Sequence, residues 1–267
     1  MIYNTGETSE ELKANYNPEG SVLRQAQCRM LDMLLYLDAV CREQHITYML
    51  SDGNVLGALR HQGFIPWDDD VDVYVERKDW KRLVHYLKHH PHHQFVIQDH
   101  DTDSHYYGSW AILRDLHSEY LIDSELHNIR KFKGLQIDIF PIERGCNMFL
   151  HRLARAFTWW NNRRNGVSHP LLASFFYYIQ FDFLYPVFRV MSRLFSRRRY
   201  YMHSYGAYWI HRIPVEQCFP PKLVMFEGHM LPCPAKPEEY LHNIFGEYMD
   251  LPPKNERCTH QAHYKIW

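Results

Sequence analysis

Asp68, Asp69, Asp70 and Asp72 place four carboxylates within five residues, between the loop Gln62-Gly63-Phe64-Ile65-Pro66-Trp67 and the apolar positions Val71, Val73 and Val75. Like charges at this spacing repel, so they either raise one another's pKa or recruit a cation. Read as a strand, Asp70-Val71-Asp72-Val73-Tyr74-Val75 turns Asp70 and Asp72 to one face and the valines to the core. Paired carboxylates at a strand end suit Mg2+ or Mn2+, hard cations that prefer oxygen and keep positions open for substrate phosphate. A polar sheet face in water is the plainer alternative; it accounts for Asp72 but not for the dense run before it. Asp138 is a further acidic feature, isolated between Ile137 and Ile139 in the apolar run Gly134 to Pro141. A carboxylate buried there needs a partner, either a shared metal or a structural hydrogen bond.

Other groups could meet an anion. Ser51-Asp52-Gly53-Asn54 turns a short strand into a helix, where a glycine lets backbone approach a ligand and helix N–H groups favour phosphate. A turn with no ligand explains the same glycine. Arg114 follows the strand candidate Trp110-Ala111-Ile112-Leu113 and either points at phosphate or pairs with Asp115 or Glu119. The cluster His85, His89, His90, His92 and His93 falls at a helix end and turn, where solvated histidine is common, although metal binding is an alternative.

The elements that must position these groups follow from periodicity. Ser21 caps a helix whose apolar residues Leu23, Met30, Leu34, Leu37 and Cys41 recur at helical spacing. Ile46 to Leu50 is a strand, residues 51 to 60 a short helix, and Lys78 to His90 a helix stopped by Pro91. Phe95-Val96-Ile97, residues 110–113, Tyr120-Leu121-Ile122 and residues 134–141 are further strands. Residues 1–20 read as a partly ordered arm. From Phe149 to Tyr208 arginines alternate with aromatic residues, in a region expected to form helices that either lie on a membrane surface, layer over the sheet or shape an acceptor pocket. Its apolar runs are interrupted by Asp182, Pro186 and Arg189, short of the ~18 uninterrupted residues of a spanning helix. Pro237 to Phe245 is a short helix ended by Gly246.

The 267 residues suit one large domain or a core with an appended subdomain. With 46% hydrophobic and 23% charged residues the chain is globular, not disordered. Thirty basic against 31 acidic residues leave a formal charge of −1, which argues against nucleic acid as a partner, although arginine is concentrated between Arg144 and Arg212. The six cysteines are scattered without a CxxC, and Cys28 and Cys41 read as buried helix thiols. With no basic, apolar leader at Met1, this favours a cytoplasmic setting, with peripheral contact at the inner face of the plasma membrane as a further expectation.

The run Gly57-Ala58-Leu59-Arg60-His61-Gln62-Gly63-Phe64-Ile65-Pro66-Trp67-Asp68-Asp69-Asp70-Val71-Asp72 closely resembles the signature of the LicD family. Asp138-Ile139-Phe140-Pro141, Phe226-Glu227-Gly228, Glu239-Tyr240-Leu241 and Phe245-Gly246-Glu247-Tyr248-Met249-Asp250-Leu251-Pro252-Pro253 resemble further family elements, and the likeness spans roughly residues 25 to 263. The resemblance implies an α/β (α+β) class: a nucleotidyltransferase-like mixed sheet flanked by helices, with an inserted helical, Arg- and aromatic-rich subdomain. It divides the chain into an arm (1–20), a catalytic core (21–147), a helical insert that touches membrane or acceptor (148–212) and a C-terminal part of the family domain (213–267). Nucleotidyltransferase folds usually carry Gly-Gly or Gly-Ser in the early turn, where this chain has Asp52-Gly53-Asn54.

The family transfers phosphocholine from CDP-choline to cell-surface glycans such as lipopolysaccharide or teichoic acid, and fukutin-type relatives transfer ribitol phosphate. The resemblance therefore implies a Mg2+-dependent (or Mn2+-dependent) phosphotransferase using CDP-choline or another CDP-alcohol on a glycan or glycolipid acceptor. Asp70, Asp72 and Asp138 would be the metal and catalytic carboxylates, with Asp138 the preferred proton acceptor. Gly53, Asn54, Arg60 and Arg114 would contact donor phosphates. His61, Trp67, Asp68 and Asp69 would support the loop, with Trp67 stacking on cytosine or choline or packing in the core. A glycosyltransferase with an Asp-x-Asp metal site is the competing enzyme class, though no Rossmann-like half precedes the motif. A non-catalytic glycan-binding protein of the same fold is the third reading.

Overall fold

The computed structural model describes residues 3–195, 198–257, 259 and 263–267. In chain order the helices are α1 (Ser9–Tyr16), α2 (Val22–Glu43), α3 (Asp52–His61), α4 (Arg77–His89), α5 (Glu125–Asn128), α6 (Met148–Asn165), α7 (Pro170–Tyr178), α8 (Tyr185–Phe195), α9 (Val215–Cys218) and α10 (Pro237–Phe245). The strands are β1 (Tyr48–Leu50), β2 (Asp72–Glu76), β3 (Phe95–Gln98), β4 (Ala111–Asp115), β5 (Ser118–Leu121), β6 (Gln136–Arg144), β7 (Tyr200–His203), β8 (Ile213–Pro214), β9 (Lys222–Phe226), β10 (His229–Cys233) and β11 (His263–Ile266). A seven-stranded sheet runs β1-β2-β6-β4-β3, with β7 joining β6 and β8 joining β7. Only β2 and β6 are parallel within it. This mixed sheet with flanking helices is the α+β nucleotidyltransferase-like architecture.

Alternation gives the sheet two faces. Val73, Val75, Ile137, Ile139, Ala111, Leu113 and Ile97 are register neighbours on one face and are all buried, forming part of the main core. Asp72 and Asp138 are direct register partners on the other face, with Tyr74 beside Phe140 one step further along. The periodic apolar residues of α2 behave as helical spacing requires: Met30, Leu34, Leu37 and Cys41 are buried, and Ser21 caps the helix by accepting from Arg24 N–H. Cys28 is exposed, so only one of the two helix thiols is buried. Within the polar opening segment, Ser9–Tyr16 forms a helix. Thr8 and Glu11 form a reciprocal capping box, and Tyr3 and Leu12 enter the core.

The 148–212 stretch is helical only as far as Phe195; β7 then returns to the main sheet against β6. Cys146, Ala154, Tyr185, Phe188, Met202 and Tyr205 form a second apolar cluster beneath these helices. Between α7 and α8 the chain continues through a π-helical stretch, Ile179–Leu184. Pro170–Leu194 thus makes one rod of 25 residues. The interruptions at Asp182, Pro186 and Arg189 do not stop it from being long and apolar enough, by length and composition, to cross a membrane. Just 22% of its most apolar window is buried.

The loop before β2 is fixed by contacts between distant family elements. Glu227 accepts from Phe64 N–H (3.1 Å) and from Arg24 (2.8 Å), while its own N–H donates to Gln62 O. Phe226 meets Phe64 edge-on. Gly57 lets α3 close on this loop, because a Cβ there would stand 2.4 Å from the carbonyl oxygen of Gly63. Gly57→Ala is expected to destabilise the fold by about 1–3 kcal/mol, the usual cost of overpacking. Urea unfolding measures this, and a variant as stable as wild type would show that α3 and the loop are not closely apposed.

Candidate functional site

Asp52, Asp70, Asp72 and Asp138 line one cavity of about 340 Å3. Asp72 opens β2 and Asp138 lies directly across from it on β6, so the parallel pairing itself brings two carboxylates together. Asp70 precedes the strand rather than belonging to it, and reaches the cavity from the loop. Asn54 clamps this segment: its side-chain carbonyl accepts from Asp72 N–H (2.6 Å) and its amide donates to Asp70 O (3.3 Å). Asp138 accepts from Trp110 Nε1 (3.1 Å) and from Gln136 Nε2 (3.3 Å).

The electrostatics follow from this crowding. Burial, then the charges of Asp70, Asp138, Asp52 and Asp68, push the Asp72 carboxyl well above the ordinary range. Burial lifts Asp138 to about 6, opposed by Arg114 and by the Trp110 hydrogen bond. Burial also raises Asp52, against the hydrogen bonds from Tyr74 (2.7 Å) and Tyr240 (3.1 Å).

Among the described residues no three His, Cys, Asp or Glu side chains stand in a ready-made metal-ligand geometry. The donor set nonetheless fits a hard divalent cation: several carboxylates line one cavity, and burial disfavours the ionised forms of Asp52, Asp72 and Asp138. The histidines from 85 to 93 offer no such set; His85 packs on His89 and His92 on Phe95.

The remaining predicted residues lie outside this cavity and hold it in shape. Arg60 is buried, donating to Tyr248 O (3.0 Å), Asp250 O (3.2 Å) and His61 Nε2 (2.9 Å), so it ties the first motif to the C-terminal one. Arg114 is fully buried on β4, bonded to Gln98 Oε1 and Gly134 O, and it reaches Asp138 only through its field. Burial lowers both guanidinium groups to about 10. Gly53 faces the Asp68 carboxylate, which a Cβ would approach to 3.1 Å. Asp69 is buried and accepts from Tyr264 on β11. Trp67 packs in the core, edge-on to Tyr16 and beneath Arg257.

His203, Trp209, His211 and Ile244 line the cavity without a sequence signal, while Phe140 and Phe245 lie in the family-like elements but were not site residues there. Trp209 meets Phe140 at 5.3 Å and Trp110 at 5.7 Å between ring centroids, making an aromatic wall opposite the carboxylates. Burial lowers His203 to about 3, so it is neutral there. Asp52 lies where its sequence neighbours spell a turn. Its left-handed backbone (φ 42°) and its bonds to Tyr74 and Tyr240 emerge only in three dimensions. Asp138 and Trp110 also line an adjoining cavity of about 410 Å3 with His127 and Arg130, so the carboxylate can be approached from two sides.

His61 gives a pH dependence. Arg60 Nε donates to its Nε2, which leaves the proton on Nδ1 facing the Tyr3 hydroxyl (3.1 Å). Burial, then the Arg60 charge, lower its pKa from 6.5 to about 3. Only the unfolded chain takes up this proton between those values, so the stabilising contribution is complete above pH 6.5 and lost as pH falls toward 3. Urea midpoints should decline between pH 7 and pH 4, with a shallower decline in His61→Gln. Equal slopes would show that His61 is not held neutral.

The family model described as "LicD/FKTN/FKRP, nucleotidyltransferase domain" matches residues 45–171. A Haemophilus influenzae protein named lipopolysaccharide cholinephosphotransferase LicD is 27% identical over 265 residues, covering 89% of this chain and 95% of that protein. Uncharacterized proteins of Rickettsia prowazekii and Rickettsia typhi are each 26% identical over 37% of this chain, covering 44% and 37% of their own lengths.

Proposed function

Because the chain belongs to the LicD family, we propose that it is a phosphotransferase moving phosphocholine from CDP-choline to a hydroxyl of a lipopolysaccharide-type glycan. The observation that carries this reading is the cavity in which Asp70, Asp72 and Asp138 face an aromatic wall of Phe140 and Trp209. Aromatic faces attract a quaternary ammonium. A divalent cation held by Asp70, Asp72 and Asp138, Mg2+ in this reading, would neutralise phosphate charge on the donor and on the departing CMP.

The chain's own groups supply the rest. Asp138, held by Trp110 and Gln136 and titrating near 6, accepts the proton of the attacking hydroxyl. The hydroxyl oxygen forms a bond to the phosphorus distal to cytidine, the bridging P–O bond breaks, and CMP leaves with that electron pair. Asn54 keeps Asp70 and Asp72 in register with Asp138 throughout. Arg60 and Arg114 support this machinery from the core.

A donor screen tests the assignment: CDP-choline, CDP-ribitol, CDP-glycerol, CDP-ethanolamine and UDP-sugars with Mg2+, reading released CMP or UDP by mass spectrometry. CDP-choline is expected to release CMP, and Asp70→Asn should lower turnover by on the order of 10²-fold or more with little loss of stability. Trp209→Ala should lower kcat/KM for CDP-choline by roughly 2- to 5-fold, the equivalent of about 0.5–1 kcal/mol for a cation on the face of a half-exposed ring. The uncharged CDP-3,3-dimethylbutanol should be affected less. UDP release in place of CMP, or wild-type turnover by Asp70→Asn, would contradict the proposal.

The acceptor's lipid portion gives the outer face of the Pro170–Leu194 rod a role. Leu171, Phe175, Phe183, Val190 and Leu194 are exposed there, with Trp159 and Trp160 exposed on α6 and Arg163 and Arg164 in its last turn. Apolar and Trp side chains with flanking arginines suit an anionic bilayer surface, which supports the reading of a peripheral membrane contact. Co-sedimentation with phosphatidylglycerol vesicles at low salt is expected, and the triple change Leu171→Asp, Phe183→Asp, Leu194→Asp should abolish it. Absence of wild-type binding would sink this part of the reading.

A further inference from the structure

Another cavity, about 490 Å3, lies apart from Asp70, Asp72 and Asp138, between α4 and the π-helical stretch of the rod. One face of α4 supplies Arg77, Lys81, His85 and Lys88, residues three to four apart that fall on one side of a helix. Lys88 is neutralised by Asp99 and Asp101, and Arg189, which also lines the cavity, by Glu143. Among the described residues Arg77 and Lys81 have no ion-pair partner, and Asp182 on the facing wall offsets Lys81 only in part. Their proximity is felt: burial, then Arg189, lowers Arg77, and the Arg77 charge, then burial, lowers Lys81.

A second observation is independent of these charges. Ser204 lines the same cavity at 2% exposure, and its hydroxyl has no hydrogen-bond partner. A buried hydroxyl without a partner is destabilising unless a bound group or water satisfies it. The opposite wall is a π-helical turn, a geometry found frequently at functional sites.

We infer that this cavity is a second, anion-binding site, taking a phosphate mono- or diester on Arg77 and Lys81 with a hydrogen bond from the Ser204 hydroxyl. Tyr177, Tyr178 and Phe181 from the rod wall it on one side, and Trp110 on another, the same residue whose indole N–H holds Asp138. A phosphate bound here therefore sits one side chain from the proposed proton acceptor. Two sources carry this chemistry: a lipid headgroup reached from the apolar outer face of the rod, or a small soluble phosphate.

Equilibrium dialysis of radiolabelled inorganic phosphate, with EDTA present so that the carboxylate cavity repels anions, tests the site directly. Wild type should bind. The double variant R77Q/K81Q should lose at least tenfold in affinity, S204A should lose less, and the charge-preserving R77K/K81R should retain binding. Thermal melts of R77Q/K81Q should match or exceed wild type, because crowded cations are removed; K81Q alone serves if the double variant misfolds. Sedimentation with phosphatidic acid vesicles, against phosphatidylcholine vesicles, separates the sources. Loss of the phosphatidic acid preference in R77Q/K81Q identifies a lipid headgroup, and loss of phosphate binding alone identifies a soluble phosphate. No phosphate binding by wild type, or equal binding by R77Q/K81Q, overturns the inference.

Discussion

Two strands running in the same direction bring Asp72 and Asp138 side by side at the point where both enter the sheet. That register sets the conditions for the rest of the site. Like charges held this close in a partly buried cavity disfavour their own ionised forms, and the fold works against that tendency at several points. Asn54 pins the backbone of the approaching loop, Trp110 and Gln136 donate to Asp138, and Tyr74 with Tyr240 donate to Asp52. None of these donors carries a formal charge.

The family elements, far apart in the chain, prove to be one scaffold. Arg60 from the first motif is tied to carbonyls of the last, Glu227 holds Gly63 and Phe64 in their turn, and Tyr240 steadies Asp52. The short spacing between Arg60 and the aspartates is thus a folding constraint as much as a chemical one. A guanidinium group buried against backbone carbonyls satisfies polar groups that would otherwise be orphaned.

The same point explains what could be read in the sequence. Alternation and β-branching located β2 and β6, and an aspartate isolated among isoleucines at 138 had to find a partner, so the acidic face was legible. Whether an arginine points into a cavity or into the core depends on tertiary contacts that local spacing does not encode, and Arg60 and Arg114 both turned inward. Trp67 and Trp209 look equally able to stack on a ligand. Packing by Tyr16, His61 and Arg257 claims the first and leaves the second on the cavity wall. Asp70 also reaches the cavity without belonging to the strand that alternation assigned it, because the strand begins two residues later. The residues after the helical rod supply His203, Trp209 and His211 to the cavity although they matched no motif.

The proposal that Asp70, Asp72 and Asp138 hold a divalent cation is most directly tested by the electron paramagnetic resonance signal of free Mn2+ titrated with the protein. Wild type should quench the free-ion signal saturably, and Asp72→Asn should leave far more Mn2+ free at the same protein concentration. A free-ion signal that wild type does not reduce, or reduces no more than Asp72→Asn does, would contradict the claim.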